Sequence, residues 1–290
     1  MSDDQHDLHD AQHEGRLVLV ATPIGNLGDI SVRAAEALRD ADVIACEDTR
    51  RTRALLSAVD VRAGSRLRSV HAHNEQERAA HIVDEIADGR RVAYVTDAGM
   101  PGISDPGAEL ARACLRAGLP VDVVPGPTAL TVALVLSGLP AERFAFDGFL
   151  PRKGADRRTR LAALGSEPRT TVLYESPRRV AATLADLVAV CGPDRPVAVV
   201  RELTKLYEEA YRGSLGEAAT LAAADEARGE HVIVLGGAPV GVVSDDTVAE
   251  AVRDALANGA SARDAATTVA AELGVARRRA YEVALTQRKS

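Results

Sequence analysis

One stretch decides the fold of this chain: Arg91-Val92-Ala93-Tyr94-Val95-Thr96-Asp97-Ala98-Gly99-Met100-Pro101-Gly102-Ile103-Ser104-Asp105-Pro106-Gly107. The first five residues form an apolar run that is typical of a buried strand. Glycines, prolines and aspartates fill the rest, so neither a strand nor a helix can continue through it. Residues 96–107 are therefore predicted to form a loop at the carboxyl end of a strand, where ligands of open α/β sheets bind.

Strand and helix patterns alternate on both sides of this loop. Strands are predicted over 17–21, 42–45, 91–95 and 121–124, and helices over 31–41, 77–88, 107–117 and 128–136. This alternation is typical of a doubly wound α/β domain with a mainly parallel sheet. Shorter strands over 144–149, 170–174, 197–201, 209–212 and 231–235, separated by helices, predict a second α/β domain with a mixed sheet.

These patterns predict four parts of the chain. Residues 1–14 form a disordered acidic tail, 15–140 the first α/β domain, and 141–238 the second. Residues 239–290 are predicted to be helical. Within them, a helix, a glycine-containing turn and a basic helix follow one another, as in a helix-turn-helix.

Composition narrows the function classes. Of the 290 residues, 46% are hydrophobic and 27% charged, as in a globular protein, and no apolar run is long enough for a membrane span. The amino-terminal residues resemble neither a secretory signal nor a transit peptide, so we expect a cytoplasmic protein. Three widely spaced cysteines predict free thiols, and no Cys/His set predicts a metal site.

The charge is unevenly distributed. The formal net charge is −7, but residues 1–15 hold five acidic residues and no Lys or Arg, which leaves −2 for the rest. Arginines cluster at 50–53, 152–160, 178–179 and 277–279, which favours a phosphate-bearing partner. Only three lysines stand beside 32 arginines, so Lys153 and Lys205 mark positions where a compact or titratable cation is needed.

The usual motifs for nucleotide hydrolysis, dinucleotide binding and serine hydrolysis are missing from the sequence. Ordered motifs of another kind are present: LVATPIGNLGDIS at 19–31, EDTRRT at 47–52, the loop 97–107, PGPTA at 125–129, GFLPRK at 148–153, YESPRR at 174–179 and RELTK at 201–205. Together they closely resemble the ribosomal RNA small subunit methyltransferase I family over residues 16–237. Met100 departs from the small polar residue that is common there.

The resemblance implies a tetrapyrrole methylase fold, S-adenosylmethionine as cofactor, and 2′-O-methylation of a cytidine ribose in the decoding centre of 16S rRNA in the small ribosomal subunit. It also implies a homodimer. Backbone groups and small residues would bind the cofactor; we assign this role to Pro23, Gly25, Asp97, Gly99, Met100, Pro101, Ile103, Ser104, Thr128, Ala129, Gly236 and Gly237.

Methyl transfer to a hydroxyl also requires a group that polarises the hydroxyl or accepts its proton. Lys153 is the leading candidate, with Glu47, Asp48, Glu175 and Lys205 as alternatives. For RNA phosphates the sequence predicts contacts from exposed arginines, namely Arg50, Arg51, Arg152, Arg157, Arg158, Arg178 and Arg278. Two other functions remain open: a methyltransferase of the same fold that acts on a tetrapyrrole or another small molecule, and a non-enzymatic helix-turn-helix DNA-binding regulator.

Overall fold

The protein is seen here as a computed structural model that describes residues 15–71, 75–224, 228–239 and 244–287. Five strands form its first sheet: β1 (Arg16–Val20), β2 (Val43–Cys46), β3 (Leu67–Ser69), β4 (Arg91–Val95) and β5 (Val121–Val124). All pair in parallel, in the order β3-β2-β4-β1-β5. The strands β1, β2 and β4 are buried on both faces, which explains their continuous apolar sequences.

Five helices follow these strands: α1 (Val32–Asp40), α2 (Thr49–Ala58), α3 (Glu75–Ala87), α4 (Ala108–Arg116) and α5 (Ala129–Ser137). One face of the sheet is covered by α1 and α2 around Leu38 and Leu56, and the other by α3 and α4 around Ile82 and Leu110. The sequence pattern does not predict α2 or β3. The reason is that α2 buries only Thr52 and Leu56, and β3 is a three-residue strand at the sheet edge.

The second sheet contains β6 (Phe144–Phe149), β7 (Thr170–Glu175), β8 (Pro196–Arg201), β9 (Glu209–Ser214) and β10 (His231–Leu235). Its order is β6-β7-β10-β8-β9, and only β6 and β7 pair in parallel. Helices α6 (Gly154–Ser166), α7 (Val180–Cys191) and α8 (Leu215–Ala224) cover one face. The other face packs against α5, where Leu134 lies in one apolar cluster with Val172 and Val232.

Residues 239–290 form a separate compact unit. Its described part consists of α9 (Asp245–Ala257), α10 (Ala262–Leu273) and α11 (Arg277–Gln287), which pack around Val252, Val269 and Ala280. Gly274 joins α10 to α11 with a φ of 64°, in the left-handed region that favours glycine.

The predicted fold class, two α/β domains followed by a helical tail, is confirmed. Residues 1–14, predicted to be disordered, lie outside the described residues. The domain boundary near 140 stays a prediction. Among the helices that the structure describes, none combines the length and apolar character needed to cross a bilayer, and Cys46, Cys114 and Cys191 are free thiols.

Candidate active site

The carboxyl ends of β1, β2 and β4 open toward the second sheet. Thr22, Glu47 and Asp97 follow these strands, while β7 ends and β10 begins on the facing side at Glu175 and His231. Between them lies a cavity of about 430 Å³, the central cavity. Its position at the strand ends matches the rule for ligand sites in parallel α/β sheets.

The loop that follows β4 gets its shape from its own backbone bonds. The Thr22 and Gly99 main chains exchange two hydrogen bonds, of 2.9 and 3.1 Å. The Gly102 amide donates to the Pro106 carbonyl at 3.0 Å, and the Gly107 amide donates to the Glu75 carboxylate at 2.9 Å. The glycine amides are thus already bonded within the protein.

The glycines instead permit backbone conformations that other residues avoid. Gly99, Gly102 and Gly107 have φ values of 80°, 81° and 119°, and Ser104 is held at 62°. Glu75 also accepts from the amides of Glu109 and Leu110, so it caps α4, whose own N-cap residue has no side chain. The loop is therefore fixed before a ligand is bound.

Most of the predicted cofactor residues meet at the central cavity. Its lining includes Asp97, Gly99, Met100, Ile103, Ser104, Thr128 and Ala129. Apolar contacts come from Ile24, Leu203 and Val232. The cavity therefore combines loop backbone with apolar walls, as small-molecule sites do.

The remaining predicted cofactor residues lie elsewhere. Pro23 and Gly25 line an adjoining cavity of about 360 Å³, which shares Asp97 with the central cavity. Pro101 is buried and belongs to neither lining.

The structure contradicts the assignment of Gly236 and Gly237. Because β10 runs antiparallel to β7 and β8, its first residue His231 lies at the cavity and its last residue Leu235 at the opposite edge. The distance from His231 to Leu235 along the strand is roughly 14 Å at about 3.4 Å per residue. The Gly236 amide donates to the Pro196 carbonyl there, at 2.8 Å.

Five acidic residues line the central cavity: Glu175 is paired with Arg179, and the other four are Glu47, Asp97, Asp105 and Glu230. Burial, with added repulsion from Glu47, Asp97 and Glu230, raises the pKa of Asp105 to about 7. Burial and the neighbouring Asp97 also raise the pKa of Glu47. Sequence reasoning missed Asp105 and Glu230 as site residues, because the four acids come from three separate loops.

A methyltransferase family matches this architecture. The family model for tetrapyrrole (corrin/porphyrin) methylases matches residues 16–219. The protein named ribosomal RNA small subunit methyltransferase I in Mycobacterium tuberculosis is 49% identical to this chain, over 95% of this chain and 96% of the relative. The chain belongs to the ribosomal RNA small subunit methyltransferase I family, within the tetrapyrrole methylases. The Escherichia coli O157:H7 protein of the same name is 42% identical, over 94% of this chain and 96% of its own.

Solved structures share the fold of the methylase. The uroporphyrin-III C-methyltransferase from Thermus thermophilus, complexed with S-adenosyl homocysteine, has a TM-score of 0.54 and 23% identity over 77% of this chain and 97% of its own. At this identity the likeness establishes the fold alone.

The predicted catalytic residues of this methylase differ in placement. Lys153 is exposed at the N-cap of α6, caps nothing with its side chain, and lies outside the described cavity linings. Asp48 caps α2 and pairs with Arg50, which lowers its pKa to about 2. Neither residue is in position to act in the central cavity.

Lys205 and Glu175 reach the site but are bonded to other residues. The Lys205 ammonium donates to Glu202 at 2.9 Å and Glu230 at 3.2 Å, at the wall of the adjoining cavity. The Glu175 side chain is 1% exposed and accepts from the Thr183 hydroxyl at 2.7 Å. Among the predicted catalytic residues, only Glu47 combines a place in the central cavity with a raised pKa.

The predicted RNA-binding arginines also differ in exposure and pairing. Arg152, Arg158 and Arg178 are exposed. Arg157 is only 11% exposed and donates to Asp186 at 2.7 Å, so its assignment as an RNA contact is wrong. The other three are exposed but paired, Arg50 with Asp48, Arg51 with Asp97 and Arg278 with Glu282.

Proposed function

We propose that this methyltransferase transfers a methyl group from S-adenosylmethionine to a cytidine ribose 2′-hydroxyl in 16S rRNA of the small ribosomal subunit. The observation that carries the proposal is the near full-length similarity to relatives named for that rRNA activity. Placement of the family motifs around one cavity supports it. A tetrapyrrole substrate has weaker support, since the relatives that act on tetrapyrroles resemble this chain at 23% identity.

The lining of the central cavity fits this cofactor. Its volume of about 430 Å³ falls within the usual range for small-molecule sites, about 300–1,000 Å³. S-adenosylmethionine supplies an electrophilic methyl group on a positively charged sulfur. Carboxylates at Glu47, Asp97 and Asp105 present the complementary charge. Ile24, Leu203 and Val232 provide an apolar surface for the adenine ring.

The protein's own chemical task is to take the proton that the accepting hydroxyl loses. Asp105 and Glu47 are suited to it because both carboxylates line the cavity and burial raises the pKa of both. A carboxylate whose pKa is near the working pH is a better base than an ordinary one. In this proposal Asp105 and Glu47 replace Lys153 as the leading candidates.

Methyl transfer from radiolabelled S-adenosylmethionine tests the function directly. Acceptors are small ribosomal subunits, naked 16S rRNA and a tetrapyrrole precursor, with the substrates taken from cells that lack this methylation. We expect label on small subunits, at a cytidine ribose that mass spectrometry identifies. Label on the tetrapyrrole alone would overturn the proposal, and tight binding of duplex DNA without any transfer would favour the DNA-binding regulator.

Assembly and location complete the proposal. Small ribosomal subunits reside in the cytoplasm, so the enzyme acts there.

Exposed apolar side chains such as Val32, Leu115 and Val135 support a homodimer. Light scattering at micromolar concentration would give twice the mass of the chain, and a monomer mass would contradict the dimer.

A further inference from the structure

A second opening adjoins the central cavity. The outer cavity, of about 700 Å³, is lined by Phe149, Leu150, Pro151, Arg152, Ser176, Arg178 and Arg179. Two of these residues, Phe149 and Ser176, also line the central cavity. The two cavities therefore share a rim, and a molecule in the outer cavity can reach into the central one.

Internal arginines fasten one wall of the outer cavity, the turn that follows β6. The Arg157 guanidinium donates to the Pro151 carbonyl at 3.1 Å while Asp186 holds the same guanidinium. The Arg179 guanidinium donates to the Leu150 carbonyl at 2.8 Å. The turn is thus tied to α6 and α7 by charged donors.

Glu175 joins that wall to the opposite one. Its carboxylate accepts from the Ser176 amide at 2.8 Å and pairs with Arg179 at 3.3 Å. It also accepts from the Thr183 hydroxyl, which in turn accepts from Arg157. Because each of these groups holds another, the outer cavity is built from a connected polar network and has a defined shape.

The groups that face the opening have a different character. Phe149 is 54% exposed, and its ring packs edge-on against Tyr174 with centroids 5.7 Å apart. Arg152 and Arg178 are exposed, and among the residues that the structure describes neither has a hydrogen-bond or ion-pair partner. An open aromatic ring beside two unpaired guanidinium groups suits an unpaired nucleotide, whose base stacks and whose phosphates need cations.

We propose that the outer cavity binds the methyl-accepting nucleotide in an unstacked form, with its base on Phe149 and its phosphates at Arg152 and Arg178. The shared rim then lets the ribose of that nucleotide face the central cavity. This inference rests on the proposed function and specifies how its RNA substrate is bound. Arg157 and Arg179 act as positioning residues in it, since their guanidinium groups are bonded to the carbonyls of the wall.

Three variants of Phe149 test the stacking. With 16S rRNA or small subunits as acceptor, Phe149→Ala raises the KM for RNA about tenfold or more, because base stacking on an aromatic ring contributes about 1–3 kcal/mol. The KM of Phe149→Leu lies between those of Phe149→Ala and the wild type, and Phe149→Trp has the wild-type KM. Calorimetry with S-adenosylmethionine gives the wild-type Kd for all three. Leu221→Ala, at an exposed apolar position on α8, is the matched control and changes neither value.

The phosphate contact has its own test. Arg178→Ala weakens RNA binding and reduces the magnitude of the slope of log K against log salt by about 0.7, the value for one phosphate contact to a single strand. The exposed Arg33 on α1 provides the control, Arg33→Ala, which leaves the slope unchanged.

The outcomes separate this inference from the proposed function. If the wild type methylates no rRNA, the proposed function is wrong and the assignment of the outer cavity with it. If the wild type methylates rRNA and Phe149→Ala keeps the wild-type KM, only the nucleotide pocket is wrong. Equal loss of RNA and cofactor binding in Phe149→Ala and Phe149→Trp would also overturn the pocket, because Phe149 would then have a structural role.

Discussion

The central and outer cavities share a rim but carry opposite charge. Carboxylates of Glu47, Asp97 and Asp105 face the central cavity, whereas Arg152 and Arg178 face the outer one. A cationic cofactor and a polyanionic RNA are therefore attracted to different sides of Phe149 before any specific contact forms. In the proposed arrangement, the charge of the lining side chains helps to direct the two substrates to different cavities.

The two cavities are also held in different ways. Main-chain bonds and positive φ angles shape the loop at the central cavity, as at Gly99 and Ser104. Side-chain ion pairs shape the outer cavity, with Glu175 at their centre. A mutation at Gly99 should therefore affect the central cavity and leave the outer one intact, whereas a mutation at Glu175, which lines the central cavity and pairs with Arg179 at the outer one, should affect both.

The largest expected effect is a loss of stability on substitution of Glu175. Glu175→Ala leaves Arg179 and Thr183 without their buried acceptor, so we expect the free energy of unfolding to fall by about 3 kcal/mol or more. The Tm should fall by about 6 °C or more, measured by circular dichroism. Glu36→Ala, at an exposed position on α1, is the control and should keep the wild-type Tm. An unchanged Tm in Glu175→Ala would mean that the network does not hold the outer cavity.

A substitution of Gly99 should weaken cofactor binding in the central cavity and leave the outer cavity unchanged. Gly99→Val forces a β-branched residue to a φ of 80° and directs a side chain toward Ile24, 3.4 Å from the added Cβ. We expect the affinity for S-adenosylmethionine to fall at least about tenfold in calorimetry, with RNA binding retained. Gly118→Val shares the positive φ, 70°, but meets open space and should bind the cofactor normally. Equal losses in both variants would trace the effect to backbone strain.

The acidic lining predicts a pH dependence. Asp105 is neutral below its pKa of about 7 and negative above it, so affinity for the cationic cofactor should rise as pH increases from 6 to 8. We expect about a fivefold rise, and a smaller one for S-adenosylhomocysteine, whose sulfur is uncharged. Glu47 contributes in the same direction, since its pKa is also raised.

Calorimetry at several pH values measures this rise, and Asp105→Asn should flatten it. Other charged groups line the same cavity: Asp97, Glu175, Glu230, Arg51 and His231. Burial lowers the pKa of His231, and the loss of any positive charge on its imidazole as pH increases acts in the same direction as the ionisation of Asp105. A profile that stays as steep in Asp105→Asn would assign the titration to one of these other groups.

The smallest expected effect is the change in turnover on substitution of Lys153. This side chain is exposed and lies outside the described cavity linings, so Lys153→Arg should keep turnover within about twofold of wild type under saturating RNA and cofactor. The kcat of methyl transfer to small subunits measures this. A loss of tenfold or more would restore Lys153 as the group that acts on the accepting hydroxyl and would move the reaction away from the acids of the central cavity.

Sequence reasoning succeeds where a local pattern has one structural solution. The apolar run 91–95 and its glycine-rich continuation predict a strand and a loop at its carboxyl end, and the structure has both, with the loop lining the central cavity. Strand direction has no such local signal. The two glycines after β10 have the composition of a ligand loop, but β10 is antiparallel and carries Gly236 to the far edge.

Side-chain partners are equally hidden from the sequence. Arg157 and Arg158 are neighbours of identical type, yet one is bonded to Asp186 and the other is exposed. In a chain with 32 arginines, residue type cannot separate a structural cation from an RNA contact. Asp105 lies in the predicted loop but is not among the predicted site residues. Its raised pKa depends on burial and on acidic residues that only the folded chain places beside it.

The contact from Glu75 to the start of α4 has a consequence for how the ligand loop forms and opens. Glu75 and Gly107 are 32 positions apart in the chain, so the loop cannot close until α3 has docked on the sheet. Ligand loops usually belong to the least protected parts of a protein, whose amides exchange through local opening. Here the amides of Gly107, Glu109 and Leu110 share one buried acceptor at the start of α3, so they are released together when Glu75 moves. We therefore expect these three amides to exchange more slowly than those of an ordinary surface loop.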